Sequence, residues 1–254
     1  MNKNQMVVAL GLVALVGCET APRICECDCG YCCCAPARPI CTAEEVSEGF
    51  VPLFNGKDFT GWDVTTNGSY TISPQGVLAY DHTRWGSMWT KKSYRDFNLR
   101  FEFKMPCDCN NGLAVRVPKG DGDTYNGGFE LQMIDDEGAM YTSVFPQLGL
   151  HHQAYQRHGA VYGVVPPKVR ENGRSYLKPA GQWNTQEVEM RGSHLKVWLN
   201  GEKIQDCNLD DYPIDGTSMD HCEHKGIRSR EGRFGWCSHG YPCWWRNIRI
   251  KEIQ

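Results

Sequence analysis

Apolar and polar residues alternate along several short segments of this 254-residue chain, and this period of two constrains the fold most strongly. Single polar residues separate Leu99, Phe101, Phe103 and Met105, which is the pattern of a strand with one buried face. Further short strands are predicted at 112–117, 187–191, 195–199, 202–204 and 247–253. Nowhere does the sequence carry a long apolar stripe at helical spacing. We therefore predict an all-β fold.

The dipeptide Asn200-Gly201 separates two of these strands, and this pair is the strongest short signal for a β-hairpin. Short strands at regular intervals favour a sandwich, and a chain of this length is long enough for one undivided domain. We predict a jelly-roll β-sandwich over residues 46–254. Residues 146–179 are predicted to form a long loop, and such loops more often carry function than fold.

The first residues have the pattern of an export signal. Lys3 precedes an apolar run at Met6–Val16, and Leu15–Cys18 has the form of a bacterial lipobox. This resemblance to lipoprotein signals implies a signal peptide at 1–17, cleavage before Cys18 and a lipid on the Cys18 sulfur. We expect an exported protein anchored to a membrane of the cell envelope, in the periplasm or at the outer membrane or cell surface. The alternative is an ordinary secretory signal, which also implies export.

Cysteine is concentrated after this signal, and residues 18–45 are predicted to form a tether without a fold of their own. Such a cluster suits disulfides or soft metals, but its spacing matches no regular zinc pattern. The folded part carries six more cysteines, and an even number in an exported domain favours disulfides of open connectivity. These six are Cys107, Cys109, Cys207, Cys222, Cys237 and Cys243.

The charge of the chain argues against nucleic acid as a partner. The formal net charge is −3 and the sequence pI is about 6.2, so the chain lacks the basic field that binds phosphate backbones. Its eight Trp and eleven Tyr residues suit either a sugar groove or a sandwich core.

One predicted strand combines an apolar face with a polar one. In Asn126–Asp136, NGGFELQMIDD, strand alternation places Glu130 and Gln132 on one face and Leu131 and Met133 on the other. Carboxylates and amides on the inner face of a β-sandwich are typical of a sugar site. We therefore predict that the functional site of the protein lies on this strand.

Several blocks of sequence, taken in order, resemble the 3-keto-disaccharide hydrolase family, which was long known only as a domain of unknown function. The resemblance runs from about Phe50 to the C-terminus. It implies a concanavalin- or laminin-G-like jelly roll and a glycoside substrate already oxidised at C3 by a separate sugar 3-oxidoreductase. The matching blocks are FVPLFNGKDFTGWD, GVLAYD, DFNLRFEFKM, NNGLAVRVP, GFELQMIDD, GQWNTQEVEMRG, HLKVWLNGEKI, GRFGWCSHG and WWRNIRIKEI.

The chemistry that this resemblance implies requires a base, an acid and an enolate stabiliser. A ketone at C3 acidifies the C2 proton, so that its removal expels the aglycone from C1, with or without later addition of water. Glu130 is the candidate base, Arg116 the candidate cation for an enolate or hydroxyl, and His239 the candidate acid or base near neutral pH. In the segment around His239, Cys237 and Ser238 replace the Gln and Asp that are more usual in the family.

Other residues are candidates for contacting the sugar. Each of them also has a structural alternative, which is a role in a turn or in the core. For Arg116, the structural alternative is an ion pair with Glu130. Adjacent histidines on an extended segment point to opposite sides, so we expect only one of His151 and His152 to serve. No cofactor is assigned, and a divalent cation is left open because no group of ligands has diagnostic spacing. The candidate sugar contacts are Gln132, Trp89, Trp85, Tyr125, Asn111, His151 and His152.

Two rival functions remain at this point. Glu130, Gln132 and Asp135 follow the spacing of the ExDxxE motif of one family of retaining β-glucanases, in which two carboxylates about 5–5.5 Å apart flank the bond. Here an amide replaces the middle acid, and the last acid is Asp. The other rival is a carbohydrate-binding module without catalysis, because the fold does not fix the function.

Overall fold

The computed structural model describes residues 39–64, 69–81, 87–120 and 127–254. The predicted signal peptide, the lipid site Cys18 and most of the Cys-rich tether lie outside the described residues. So do two candidate sugar contacts, Trp85 and Tyr125. Within the described ranges, no helix is both long and apolar enough to cross a membrane.

The described residues form two antiparallel sheets that lie face to face as a jelly-roll β-sandwich, which confirms the predicted fold class. One sheet has eight strands and the other has five. The eight are β1 (Val51–Pro52), β3 (Tyr70–Ile72), β4 (Leu78–Tyr80), β6 (Phe97–Lys104), β9 (Asn184–Arg191), β10 (His194–Leu199), β11 (Glu202–Asn208) and β13 (Cys243–Glu252). The five are β2 (Trp62–Val64), β5 (Met88–Thr90), β7 (Asn110–Val117), β8 (Phe129–Ile134) and β12 (Arg233–Ser238).

Both sheets order their strands differently from the sequence. The larger sheet has the order β11-β10-β9-β6-β13-β4-β3, and β1 pairs with β13. The smaller sheet has the order β2-β5-β12-β7-β8. Strands far apart in the chain are therefore neighbours, and residues of β7, β8 and β12 share one surface.

The core lies between the sheets and is built from the alternating apolar residues. In β6 the side chains of Leu99, Phe101 and Phe103 are buried, as the sequence predicts. The indoles of Trp236 on β12 and Trp245 on β13 stack with ring centroids 4.5 Å apart and join the two sheets. Truncating such a buried aromatic side chain to Ala typically costs about 3–5 kcal/mol of unfolding free energy.

The predicted hairpin connects β10 and β11. Asn200 and Gly201 both have positive φ angles, of 52° and 88°. A two-residue turn with this backbone matches the twist of the flanking strands, and Asn and Gly adopt it at low cost. The Asn200 side chain also donates hydrogen bonds to the Tyr176 carbonyl oxygen at 2.9 Å and to Asn184 Oδ1 at 2.8 Å.

Helical segments are short and lie in the connections. The helix α1 (Ala43–Ser47) is capped by Thr42, and its Glu45 forms an ion pair with Arg249 on β13 at 2.6 Å. The predicted domain boundary at Val46 thus falls inside α1, whose contacts with the sandwich begin a few residues earlier. The others are α2 (Phe145–Gln147), a π-helical turn at Met140–Val144, and 3₁₀ turns at Ala154–Gln156, Leu209–Asp211 and Lys225–Arg228.

Candidate functional site

The outer face of the five-stranded sheet carries a row of aligned residues. Strand pairing places Trp89 opposite Gly235, Gly235 opposite Ala114, and Ala114 opposite Glu130. The residues between them on each strand, such as Leu131 on β8, belong to the core. The row therefore faces away from the sandwich interior, with an indole at one end and a carboxylate at the other. The expectation that Glu130 lies on the inner face of the sandwich is wrong, because Leu131 and Met133 occupy that face.

The carboxylate of Glu130 lies over a glycine on the neighbouring strand. A Cβ atom at Gly112 would fall 1.8 Å from Glu130 Oε1, so the carboxylate occupies space that only glycine leaves open. Glu130 is 8% exposed, and among the described residues its buried Oε1 has no hydrogen-bond partner. A buried carboxylate oxygen without a partner is costly, and such atoms are typical of sites that await a ligand.

His239 faces this oxygen from the loop between β12 and β13. Its Nε2 lies 3.6 Å from Glu130 Oε1, which is the distance of an ion pair and longer than a normal hydrogen bond. Burial lowers the pKa of His239, but the attraction of the Glu130 carboxylate outweighs burial and raises the pKa above its usual value. The His239 side chain is 44% exposed, so it is accessible to an incoming molecule.

A thiol lies beside this pair. Cys237 is aligned with Gly112 across β12 and β7. Burial raises the pKa of the Cys237 thiol well above its usual value, and the charge of Glu130 raises it further. Cys237 is therefore a neutral thiol next to the carboxylate, and not a thiolate nucleophile.

The long loop predicted at 146–179 closes the open edge of β8. Tyr162 N donates a hydrogen bond to the Glu130 carbonyl oxygen at 3.0 Å, and Gln132 N donates to the Ala160 carbonyl oxygen at 3.0 Å. The Tyr162 hydroxyl accepts a hydrogen bond from Gln156 Nε2 at 3.3 Å. Burial, and after it the charges of Glu130 and other acids, raises the pKa of Tyr162, so its hydroxyl stays protonated.

A cation on the same face was missed by sequence reasoning. The Arg233 guanidinium lies over the Trp89 ring, 5.4 Å from its centroid, and 3.9 Å from Asp63 Oδ2. Arg233 is 8% exposed, and its Nε has no hydrogen-bond partner among the described residues. The segment GRFGWC carries the sequence signal for this cation. Its Arg233, Gly235 and Cys237 occupy alternate positions of a strand and therefore share one face.

An Asp–His pair behind the long loop was also missed. His224 Nε2 lies 2.9 Å from Asp220 Oδ1, and both side chains are nearly buried. A Cβ atom at Gly163 would come within 2.5 Å of both side chains, so the loop packs tightly against the pair. The Asp220–His224 pair thus supports the segment that holds Tyr162 at the edge of β8.

Two predicted sugar contacts lie on the face of Glu130. Gln132 is two residues along β8 and opposite Gly112, with its side chain 3% exposed and its Oε1 accepting a hydrogen bond from Met133 N at 3.1 Å. Trp89 lies at the far end of the row and packs against Gly235. Both lie on the outer face of the five-stranded sheet, where Gln132 is buried and Trp89 is half-buried.

The prediction that Arg116 faces Glu130 is wrong. β7 advances three residues, from Ala114 to Val117, while β12 advances only two, and Arg116 in this bulge has a φ of 54°. The fully buried guanidinium instead donates hydrogen bonds to the carbonyl oxygens of Arg95, Gly192 and Ser229, and forms an ion pair with Asp96. Arg116 ties loops together, and no ion pair with Glu130 is formed.

Asp135 and Asn111 are also placed away from the Glu130 carboxylate. Asp135 Oδ2 accepts a hydrogen bond from Asp108 N at 2.9 Å in the turn at the end of β8, and burial raises its pKa. Asp135 is five residues from Glu130, which is about 16 Å along an extended strand, too far for a pair of carboxylates around one bond. Asn111 faces the core, where its Oδ1 accepts a hydrogen bond from Gly112 N at 2.8 Å.

The two adjacent histidines differ in environment, as the sequence predicts. His151 is exposed, whereas His152 is part-buried with its ring 4.7 Å from that of Tyr141. His152 Nε2 lies 3.0 Å from the carbonyl oxygen of Gln156, and burial lowers the pKa of His152. Its connection to the site is indirect, through Gln156 and Tyr162. Within the described ranges, no group of three or more His, Cys, Asp or Glu side chains is arranged to hold a metal ion.

This arrangement supplies the elements of acid–base chemistry. A carboxylate with an unpartnered oxygen is suited to accept a proton, and the imidazole beside it, with a raised pKa, is suited to donate one. Arg233 adds a fixed positive charge over an aromatic surface. The three groups come from strands β8 and β12 and from the loop after β12.

Two comparisons with known proteins point to the same family. The model of the family described as 3-keto-α-glucoside-1,2-lyase-like domains matches residues 49–251, which include the whole described site. A 3-keto-disaccharide hydrolase of Bacteroides thetaiotaomicron is 22% identical over 245 residues, covering 82% of this chain and 80% of the relative.

Two solved structures share the fold. A presumed glycosyl hydrolase from Parabacteroides distasonis superposes with a TM-score of 0.67 at 25% identity, over 84% of this chain and 98% of the other. A second presumed glycosyl hydrolase from the same organism has a TM-score of 0.66 at 24% identity, over 80% of this chain and 99% of the other, and shows the fold alone.

Proposed function

The chain belongs to the family of 3-keto-α-glucoside-1,2-lyase-like domains, and from that premise we propose that it cleaves the glycosidic bond of 3-keto-glycosides, including 3-keto-disaccharides, by elimination. That it is an enzyme acting on glycosides follows from the family and from the named Bacteroides thetaiotaomicron relative. The observation that carries the proposal is the unpartnered Oε1 of Glu130, 3.6 Å from His239 Nε2.

Elimination uses the acidity that the C3 ketone gives to the C2 proton. Glu130 accepts that proton, the C2–H electrons form an enolate with the C3 oxygen, and the enolate then expels the aglycone oxygen from C1. Protonated His239 gives its proton to the departing oxygen, so the products are an alcohol and an enone. Water that adds to the enone completes a net hydrolysis.

The pKa of His239 suits this step. Because the Glu130 carboxylate raises the pKa of His239, more of the imidazole is charged near neutral pH than in an isolated histidine. The ion pair also holds the imidazole of His239 beside the Glu130 carboxylate, so that the proton donor and the proton acceptor are neighbours. Substrate that enters between them separates the two groups and receives a proton from one as it loses a proton to the other.

Arg233 takes the role that the sequence suggested for Arg116. Its guanidinium is fixed over Trp89 and keeps an Nε–H donor without a partner among the described residues. A cation with an available donor stabilises the negative oxygen of an enolate. We assign Arg233 to the C3 oxygen, with Trp89 as a platform for the sugar ring.

The setting of the reaction is part of the proposal. The lipobox-like segment before Cys18 supports export and a lipid anchor in the cell envelope. A substrate with a ketone at C3 also requires an earlier oxidation of that hydroxyl by a sugar 3-oxidoreductase. We therefore place this enzyme after such an oxidation, at a membrane surface.

The test compares a chromogenic glucoside with its 3-keto derivative, in the wild type and in Glu130→Gln. We expect aglycone release from the keto sugar alone and a loss of about 10²–10⁴-fold in Glu130→Gln. Glu187→Gln, which removes a carboxylate from the other sheet, is the matched control and keeps the wild-type rate. A parallel set with a chelator reports any need for a divalent cation.

Other outcomes would contradict the proposal. Release from the unoxidised glucoside at a comparable rate would point to a glycosidase that needs no ketone. Binding of both sugars without release of any of several aglycones would indicate a carbohydrate-binding module. Wild-type turnover in Glu130→Gln would remove Glu130 from the mechanism.

A further inference from the structure

Two buried cysteines face each other across the sandwich, away from the Glu130 carboxylate. Cys109 immediately precedes β7 in the five-stranded sheet, and Cys243 is the first residue of β13 in the eight-stranded sheet. Both residues are 0% exposed. They are 134 positions apart in the chain, so only the fold brings them together.

The contacts of the Cys109 thiol place it beside the start of β13. Cys109 Sγ lies 3.6 Å from the carbonyl oxygen of Pro242, the residue directly before Cys243. Cys243 Sγ lies 3.5 Å from the carbonyl oxygen of Lys104. Burial raises the pKa of the Cys109 thiol well above its usual value, and the neighbouring Cys243 thiol raises it further.

We propose that Cys109 and Cys243 form a disulfide bond that joins the two sheets. The donor is the disulfide of a thiol–disulfide oxidoreductase or of oxidised glutathione, which meets the chain before the sandwich closes. One cysteine thiolate attacks that donor and forms a mixed disulfide, and the second thiolate then displaces the donor sulfur. The two cysteines lose two electrons and two protons in total, and the donor is reduced to thiols.

The bond has a defined structural effect. Cys243 ends the loop that carries His239, and Cys109 lies beside the start of β7, one strand away from Glu130. A covalent link at this point fixes the end of the His239 loop to the sheet that carries Glu130. It also restricts the unfolded chain, because the link closes a long loop.

Peptide mapping tests the bond directly and needs no activity. The full chain is unfolded and reduced, refolded in a mixture of reduced and oxidised glutathione, then denatured without reductant, alkylated and digested. We expect a linked pair of peptides containing Cys109 and Cys243, which separates on reduction with a gain of the mass of two hydrogen atoms. Alkylation of both residues before reduction, or a link of either residue to another cysteine, would overturn the proposal.

Neighbouring cysteines provide matched controls. Cys107 and Cys237 lie on the same tryptic peptides as Cys109 and Cys243, so Cys107→Ala and Cys237→Ala should keep the linked pair. Cys109→Ala and Cys243→Ala should each abolish it and leave the other cysteine open to alkylation. A linked pair that survives in Cys109→Ala, or disappears in Cys107→Ala, would assign the bond to Cys107 and contradict the proposal.

Discussion

The outer faces of the two sheets both carry charged residues, but the acidic residues of the two faces differ in their partners. On the eight-stranded sheet, Glu45 pairs with Arg249 and Arg100, and Arg100 also pairs with Glu187 at 3.0 Å. On the five-stranded sheet, Glu130 has a buried oxygen without a hydrogen-bond partner among the described residues. On one face the acids contact arginines directly, whereas on the other the Glu130 oxygen is approached by His239 at 3.6 Å without a hydrogen bond.

A groove of about 390 Å³ lies on the eight-stranded sheet and is lined by Glu45, Arg100, Glu187, Trp198 and Arg249. Its acids already contact arginines, so a ligand there must first break ion pairs. We therefore base the proposed site on the unmet hydrogen-bonding demand of Glu130 and not on the volume of this groove.

The largest expected effect comes from Gly112→Ala. The new Cβ would fall on Glu130 Oε1, and the flexible carboxylate moves more easily than the sheet, so the fold survives. We expect kcat/KM on the 3-keto glucoside to fall about 10³-fold, within the range for loss of a positioned base. Enzyme kinetics and thermal unfolding of the same samples check both parts.

A double variant sharpens that result. Glu130→Asp withdraws the carboxylate from the space that the new methyl group fills. The second change, Gly112→Ala, should then cost much less in Glu130→Asp than in the wild type. Equal costs in both backgrounds would mean that the methyl group damages the sheet and not the position of the carboxylate.

The next largest expected effect is on the pH dependence of stability. It concerns His158, whose side chain contacts both sheets inside the core. Its Nδ1 accepts a hydrogen bond from Ile134 N at 3.3 Å, and its Nε2 lies 3.1 Å from Gln186 Oε1. Complete burial lowers the pKa of His158 to about 4. Below pH 6.5 the unfolded chain binds this proton and the folded chain does not, so His158 makes folding less favourable as the pH falls toward 4. Asp136, whose pKa burial raises to about 7, acts in the opposite direction and is the same in all the proteins compared below.

We expect this histidine to cost roughly 3 kcal/mol of unfolding free energy between pH 6.5 and about 4. Urea unfolding at a series of pH values should show a shallower acid loss in His158→Gln than in the wild type. His151→Gln, which changes an exposed histidine outside the core, is the control and should keep the wild-type slope. Identical slopes in all three proteins would show that His158 is accessible to protons in the folded state.

Removing the imidazole of His239 should have an effect that is similar to or slightly smaller than that of His158 when both are expressed as free energies. We expect His239→Gln to lower kcat about 10²-fold, because the departing oxygen loses its proton donor. In the wild type, kcat should fall as the pH rises through the raised pKa of His239, above 6.5, and this alkaline limb should be absent in the variant. A limb that persists unchanged in His239→Gln would assign it to another group.

The smallest effect is expected on the outer face of the eight-stranded sheet. Glu187→Gln breaks the partly exposed ion pair with Arg100 and should cost only about 0.5–1 kcal/mol of unfolding free energy. Its activity on the 3-keto glucoside should not change. A strong loss of activity in this variant, measured beside Glu130→Gln, would reverse the comparison between the two faces.

The sequence predicts the features that depend on local alternation. The strand β6, the Asn200-Gly201 hairpin and the shared face of Glu130 and Gln132 all follow from a period of two. Arg116 escapes this rule because a bulge in β7 interrupts the alternation, and no single residue type marks a bulge.

Contacts between distant segments escape prediction for another reason. Tyr162 reaches Glu130 because the long loop pairs with the free edge of β8, and Arg233 reaches Trp89 through pairing of β12 with β5. Strand order in a sheet is a global property of packing, whereas alternation is local. The sequence therefore predicts which side chains share a strand face, but not which strands are neighbours.

The central claim is that Glu130 removes the C2 proton, and an isotope measurement tests it most directly. A 3-keto glucoside deuterated at C2 is given to the wild type and to Glu130→Gln, and both aglycone release and deuterium lost to water are followed. We predict slower release from the deuterated sugar and transfer of deuterium to water in the wild type, with both processes abolished in Glu130→Gln although the sugar still binds. Release without loss of deuterium, or loss of deuterium at the wild-type rate in Glu130→Gln, would contradict the claim.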